Sequence, residues 1–250
     1  MAAGELTLTA ALGVGPGDVV AFVGGGGKTT AMLRLAAEIA SAGGRVVTTT
    51  TTRLAASEVL LAPVHVRTIA ALPAALATAR HVLLTGAIDA LADKMLGVAP
   101  EALCALQLPG TTLVIEADGS RRLPFKAPGE HEPVIPACST LVVPVVGIDA
   151  VGRPLDARHV HRPERVSHIH AGETVTPEMI AAVMTDPRGG CKNVPAGARI
   201  VLLINQVDNG DRRRLARDIA VRVLDAGPIA TVALAALTGG GHPVLEVLRR

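Results

Sequence analysis

The sequence contains no tryptophan, no tyrosine and only two phenylalanines in 250 residues. That scarcity removes the platforms on which single-stranded nucleic acids stack. It leaves the core to Ala, Val and Leu. An excess of charge is missing too: 24 basic residues against 22 acidic ones give a formal net charge of +2. No pull toward nucleic acid or a membrane surface follows from that balance. No apolar run approaches the ~18 residues of a membrane span. The start, MAAGELTLTAALGV, has no basic region ahead of its apolar residues and so does not read as a secretory signal. Cysteine is sparse: Cys104, Cys138 and Cys191 are far apart and odd in number. They suit a reducing cytoplasm and form no metal-type pair. The expectation is a cytoplasmic protein with no nucleic-acid or membrane partner. The length suits a single α/β domain over residues 1–250.

What the sequence does have is a concentration of glycine. Val19–Val23 reads as a buried strand, Ala31–Ala42 as an amphipathic helix, and between them stand Gly24, Gly25, Gly26 and Gly27, then Lys28, Thr29 and Thr30. Glycines between a strand and a helix let backbone N–H groups close on phosphate oxygens, and the helix N-terminus adds partial positive charge. A lysine there reaches the β- and γ-phosphates, and a following Thr hydroxyl can ligate Mg²⁺. The pattern G-x-x-x-x-G-K-[ST] is met at Gly27, Lys28 and Thr29, but its first glycine falls on Phe22. The loop is therefore expected to turn at Gly24. A dinucleotide fingerprint fits less well, because its third glycine falls on Thr29.

Further along, Arg45–Thr49 reads as a strand running into a threonine tract, of which Thr50, Thr51 and Thr52 would lie near a γ-phosphate. Helix is expected at 68–80, strand at 81–85, and one or two helices within 87–108. Thr111–Ala117 is an apolar strand ending in Glu116 and Asp118, where an acid beside a phosphate loop can hold Mg²⁺ directly or through water. Residues 120–136 are rich in charge and proline and read as a long functional loop. There Arg121, Arg122 and Lys126 are candidates to meet an anion, and Glu130, His131 and Glu132 to meet a metal or move a proton. Residues 140–146 form a strand in which Pro144 suggests an edge or a strand end. His159, His161, His168 and His170 read as a solvated or anion-facing loop. Thr176 caps a helix with Pro177 in its first turn. Arg199–Ile204 is a central strand leading to Asn205 and Asp208. These resemble the N-K-x-D segment of GTPases, with Asn205 bracing the loop and Asp208 reading guanine. A helix follows at 211–224, a strand at 229–235, and, introduced by Gly239, Gly240 and Gly241, a final helix ending at Arg250.

Several stretches together resemble the YqeC family of selenium cofactor biosynthesis proteins: VVAFVGGGGKTT, VVTTTTTRL, LVIEADGSRRLPFKAPGEHEPVIP, VVGIDAVGRPL with HRPE, and LLINQVD. The resemblance implies a P-loop NTPase-like fold, and the elements read above predict the matching three-layer α/β sandwich, a mostly parallel sheet of about six or seven strands with helices on both faces. It also implies a part in maturing selenium-dependent molybdenum hydroxylases, so that such an enzyme or its cofactor precursor is the expected partner. The expected ligands are ATP or GTP with Mg²⁺. Lys28 would neutralise the β/γ-phosphates, and Thr29 would hold Mg²⁺ with Glu116 or Asp118. Three activities stay open at this point: an NTPase or switch in maturation, a small-molecule kinase, and a non-catalytic module stabilised by nucleotide.

Overall fold

The computed structural model describes residues 6–55, 62–89, 94–238 and 243–250. The elements in chain order are α1 (Leu8–Leu12), β1 (Val19–Gly24), α2 (Lys28–Ser41), β2 (Arg45–Thr50), β3 (Leu54–Ala55), β4 (Val64–Val66), α3 (Leu72–Thr78), β5 (His81–Leu84), β6 (Ile88–Asp89) and β7 (Lys94–Met95). There follow α4 (Pro100–Cys104), β8 (Thr111–Glu116), β9 (Phe125–Lys126), β10 (Leu141–Gly147), β11 (Val160–His161), α5 (Pro163–Ser167), α6 (Pro177–Thr185), β12 (Arg199–Asn205), α7 (Gly210–Ala226), β13 (Thr231–Ala235) and β14 (Val244–Arg249).

The apolar runs become a nine-stranded sheet in the order β14-β13-β12-β10-β1-β8-β2-β5-β4. Every pairing is parallel except that of β13 with β14. Side chains alternate across a strand, so each central strand feeds two cores. Val20 and Phe22 of β1 and Val201 and Leu203 of β12 pack with α1 and α2. On the opposite face, Leu202 and Ile204 meet α6 and α7, and Ala21, Val23 and Val47 meet α3 and α4. The result is a three-layer α/β sandwich with a mostly parallel sheet and helices on both faces.

Several expectations are corrected. The sheet has nine strands rather than six or seven. The chain ends on β14, antiparallel to β13, and not on a helix. The glycines at 239–241 that were to introduce that helix lie outside the described residues. Between 87 and 108 the described helix is α4 alone, preceded by the short strands β6 and β7. Pro144 stands in β10, between β1 and β12, and not at an edge. Its missing N–H is accommodated because the β10–β12 register runs from Val142 to Val145 without Val143 or Pro144 pairing. The long loop carries a strand of its own, β9, which pairs with β11. Cys104 and Cys138 are joined in a disulfide that ties the end of α4 to the turn before β10, so the three thiols are not all separate. Among the described residues no helix is long and apolar enough to cross a membrane.

Candidate functional site

Strand register gathers the site. Phe22 of β1 pairs with Glu116 of β8, and Glu116 pairs on its other side with Thr50 of β2. Gly24 stands opposite Val145 of β10, whose last residue, Gly147, pairs with Asn205. Five parallel strands therefore end together, and the crevice beyond their carboxyl ends is where open α/β sheets bind ligands.

Phe22 stays fully buried inside β1, and the chain turns at Gly24 with φ near 95°. The turn is tight. A Cβ on Gly24 would lie 2.3 Å from the Val145 carbonyl oxygen, and one on Gly26 would lie 2.2 Å from the Gly147 nitrogen. Glycine is required at both positions because other strands touch the backbone there. Internal partners take the first loop amides: Gly24 N–H donates to the Asp118 carboxylate, Gly25 to Val145 O and Gly26 to Leu123 O. α2 begins at Lys28 with no side-chain cap, so no side chain competes for its first-turn N–H groups. Asn205, 3% exposed, braces the loop from β12. Its Nδ2 donates to Gly26 O at 2.8 Å while its Oδ1 accepts from Leu237 N–H at 3.1 Å.

Charges form a continuous chain beneath this loop. Lys28, 3% exposed, donates to Gly24 O at 2.7 Å and lies 3.3 Å from Asp118 and 3.7 Å from Glu116. Thr29 Oγ1 donates to Glu116 Oε2 at 2.7 Å. Asp118 meets Lys126 at 2.9 Å, and Lys126 meets Glu132 at 2.7 Å. Arg162 closes the chain with two hydrogen bonds to Glu132, at 2.7 and 3.0 Å. Burial alone would raise the Glu132 carboxyl, but the hydrogen bonds from Arg162 and Lys126 outweigh it and hold the group near a pKa of about 2. Burial lowers the neighbouring His161, and the charges of Arg162, Lys126 and Arg121 lower it further, to about 4.

The structure thus brings Gly24–Thr30, Glu116, Asp118, Lys126, Glu132 and Asn205 into one neighbourhood. Other candidates are placed differently. Thr51 Oγ1 donates to Val134 O, which fastens β2 to the 120–136 loop, and Thr50 Oγ1 donates to Glu116 O. Arg121 and Arg122 are exposed and adopt the left-handed conformation, and His131 is exposed. Asp208 is exposed on the loop after Asn205, where Arg212 of α7 holds it at 2.7 Å and Asn209 donates to it. Among the described residues no group of three or more His, Cys, Asp or Glu side chains converges in a way that could hold a metal ion. Sequence reasoning missed Arg162 as a member of the charged chain, although the stretch His161–Glu164 had been singled out. The signal was a cationic residue on the segment that returns beside Lys126 as β11.

Comparison with known proteins follows the same residues. The model of the family described as YqeC protein matches residues 20–164, more than half of the chain. The uncharacterized protein YqeC of Escherichia coli (strain K12) is 40% identical over 121 residues, which is 45% of this chain and 46% of that protein. The match thus spans about half the length of that relative. Two solved structures share a weak overall likeness. Chloroplast FtsY from Physcomitrella patens is 14% identical with a TM-score of 0.43, over 96% of this chain and 66% of its own. FtsY from Mycoplasma mycoides is 13% identical with a TM-score of 0.37, over 93% and 64%. Scores of that size do not bear on the fold. The family match does bear on identity: this chain belongs to the YqeC family.

Proposed function

We propose that the crevice above Gly24–Thr30 binds a nucleoside triphosphate with Mg²⁺, and that the chain uses it as an NTPase or switch in maturing a selenium-dependent molybdenum enzyme. The observation that carries the nucleotide reading is the arrangement of Lys28, Thr29 and Glu116 at the start of α2. A buried ammonium sits at the mouth of the glycine turn, and one residue later a hydroxyl is already held by a carboxylate at 2.7 Å. A buried lysine is costly unless paired. Phosphate would exchange its present partners, Gly24 O and the two carboxylates, for a stronger anion.

These residues fit a magnesium nucleotide. Thr29 and Glu116 together offer the hard oxygen donors that Mg²⁺ takes. Glu116 is the better acidic partner of the two acids, since it already holds the Thr29 hydroxyl at 2.7 Å, whereas Asp118 is turned to Gly24 N–H, Lys28 and Lys126. Asp118 then acts on the shape of the loop. When bound, the ion would screen the phosphate charge. The chain's own part is positioning: uncapped α2 amides toward the phosphates, Lys28 toward the β/γ oxygens, Asn205 fixing the loop backbone. The selenium role rests on the family resemblance, and the base preference rests on Asp208.

Calorimetric titration of the purified chain with Mg·GTP and Mg·ATP tests the reading, beside the variant Lys28→Ala. Binding by the native chain and its loss in a folded variant is the expected result. Unchanged affinity in the variant would remove the phosphate-loop assignment.

A further inference from the structure

A second cavity lies outside the glycine loop. A pocket of about 300 Å³ opens between the 128–132 stretch, the segment from α5 to Ile169, and the turn that follows α6. Its apolar surface comes from Pro128, Ile169 and Pro187, and its basic groups from Arg165, His168 and Lys192. None of these residues takes part in the charged chain beneath the glycine loop.

The walls are fastened to one another. Lys192 Nζ donates to Gly129 O at 2.5 Å and to Glu130 O at 2.7 Å, and Asn193 donates to Pro133 O at 3.0 Å. Arg162 holds the same stretch from the α5 side through Glu132. The turn is wound tightly enough that a Cβ on Gly189 would lie 2.0 Å from Val183 O. A cavity with cross-linked walls needs little ordering to bind, which favours affinity.

The charges are unevenly satisfied. Arg188 is neutralised by Asp186 through two hydrogen bonds, at 3.0 and 2.9 Å. Arg165 makes no side-chain hydrogen bond or ion pair within the described residues, and neither does the His168 ring. Lys192 uses two donors on carbonyls and keeps a third. Burial lowers the Lys192 ammonium and the charges of Arg165 and Arg162 lower it further, with Glu130 and Glu132 offsetting only part of the shift. The one acid of the lining, Glu130, is exposed and leaves the basic groups in excess.

We propose that this pocket binds a small organic anion, a phosphorylated or carboxylated molecule whose acid group meets Arg165 and Lys192 and whose apolar part rests on Pro128, Ile169 and Pro187. The volume lies at the small end of ligand sites. Guanidinium and ammonium groups pair with phosphate and carboxylate alike, the guanidinium in two-pronged fashion. This site stands independently of nucleotide binding at the glycine loop.

The test is a titration of the full-length chain with phenyl phosphate, benzoate and inorganic phosphate, followed by calorimetry and by the imidazole NMR signal of His168. The expected result is saturable binding of phenyl phosphate or benzoate with a shift of that signal, weakened about tenfold or more in Arg165→Ala. The same binding should persist in Lys28→Ala, which separates this site from the phosphate loop. The tighter of the two aryl anions names the acid group. Affinity lost in Lys28→Ala but kept in Arg165→Ala would overturn the proposal. So would inorganic phosphate binding as tightly as phenyl phosphate, or the absence of any His168 shift up to millimolar concentrations.

Discussion

The Lys126 ammonium lies 2.9 Å from Asp118 and 2.7 Å from Glu132, with its own side chain 1% exposed and that of Asp118 2%. A lysine buried to this degree persists because two carboxylates and the Gly119 carbonyl satisfy its three donors. The pairing also fixes Asp118 against the Gly24 amide, so the conformation of the glycine turn depends on a residue from a loop far along the chain.

Replacing Lys126 by Met should therefore cost stability out of proportion to the volume changed. Removing one partner of a buried ion pair leaves an uncompensated charge, a loss of about 3–5 kcal/mol. Urea denaturation of the variant beside the native chain measures it. A loss below about 1 kcal/mol would mean that the ammonium contributes no more than a surface pair.

Acid should unfold the protein through two groups in separate pH windows. The folded-state pKa of His161 is lowered to about 4 from 6.5, and that of Glu132 to about 2 from 4.5. In each case the unfolded chain binds more protons inside its window, so stability falls as pH drops. The His161 contribution is complete above its unfolded value and is lost between 6.5 and about 4. That of Glu132 is complete above 4.5 and is lost toward about 2. Stability against pH for His161→Gln and Glu132→Gln should lose the upper and the lower slope respectively. Slopes that match the native chain in both variants would assign the acid response elsewhere.

The sequence carried the centre of this site and not its surroundings. A strand running into glycines, another ending in Glu116 and Asp118, and a third running into Asn205 are local patterns, legible because each is an apolar run stopped by one chemically distinctive residue. Burial of Lys126 is not local. Its partners stand eight positions before and six after it, and Arg162 arrives only when β11 pairs with β9. Such a loop reads as a set of candidates for an anion or a metal, and its internal ion pairs stay hidden until its contacts are known. The last strand was misread for a related reason. Val244, Leu245, Val247 and Leu248 repeat at helical spacing, yet the free edge of β13 takes six residues as β14. Arg213 and Arg217 of α7 then hold Glu246 on it.

The disulfide should be measurable as stability under oxidising conditions. Cys104 and Cys138 are separated by 34 positions, and closing a loop of that length removes unfolded-state entropy worth about 3–4 kcal/mol. Reductant or Cys104→Ser should lower the denaturation midpoint, and reductant should have no added effect on the variant. A midpoint equal with and without reductant would show that the two thiols are unbonded in solution.

Asn205 and Asp208 share one loop but should fail differently. Asn205 is buried with both ends of its amide engaged, so Asn205→Ala strands the Gly26 carbonyl and the Leu237 amide at about 1–3 kcal/mol. It should weaken ATP and GTP alike, because the loop it braces is the one proposed to meet phosphate and not base. Among the described residues, exposed Asp208 is held only by Arg212 and Asn209, so Asp208→Ala should leave the fold unchanged. If its carboxylate accepts from the guanine N1 and N2 donors, GTP affinity should fall by about tenfold or more, the scale of a charge-assisted hydrogen bond, while ATP affinity holds. Side-by-side calorimetry of the two variants reads both effects. Equal losses of ATP and GTP in Asp208→Ala would reduce Asp208 to the anchor of Arg212, which already joins it to Asp149 across the start of α7.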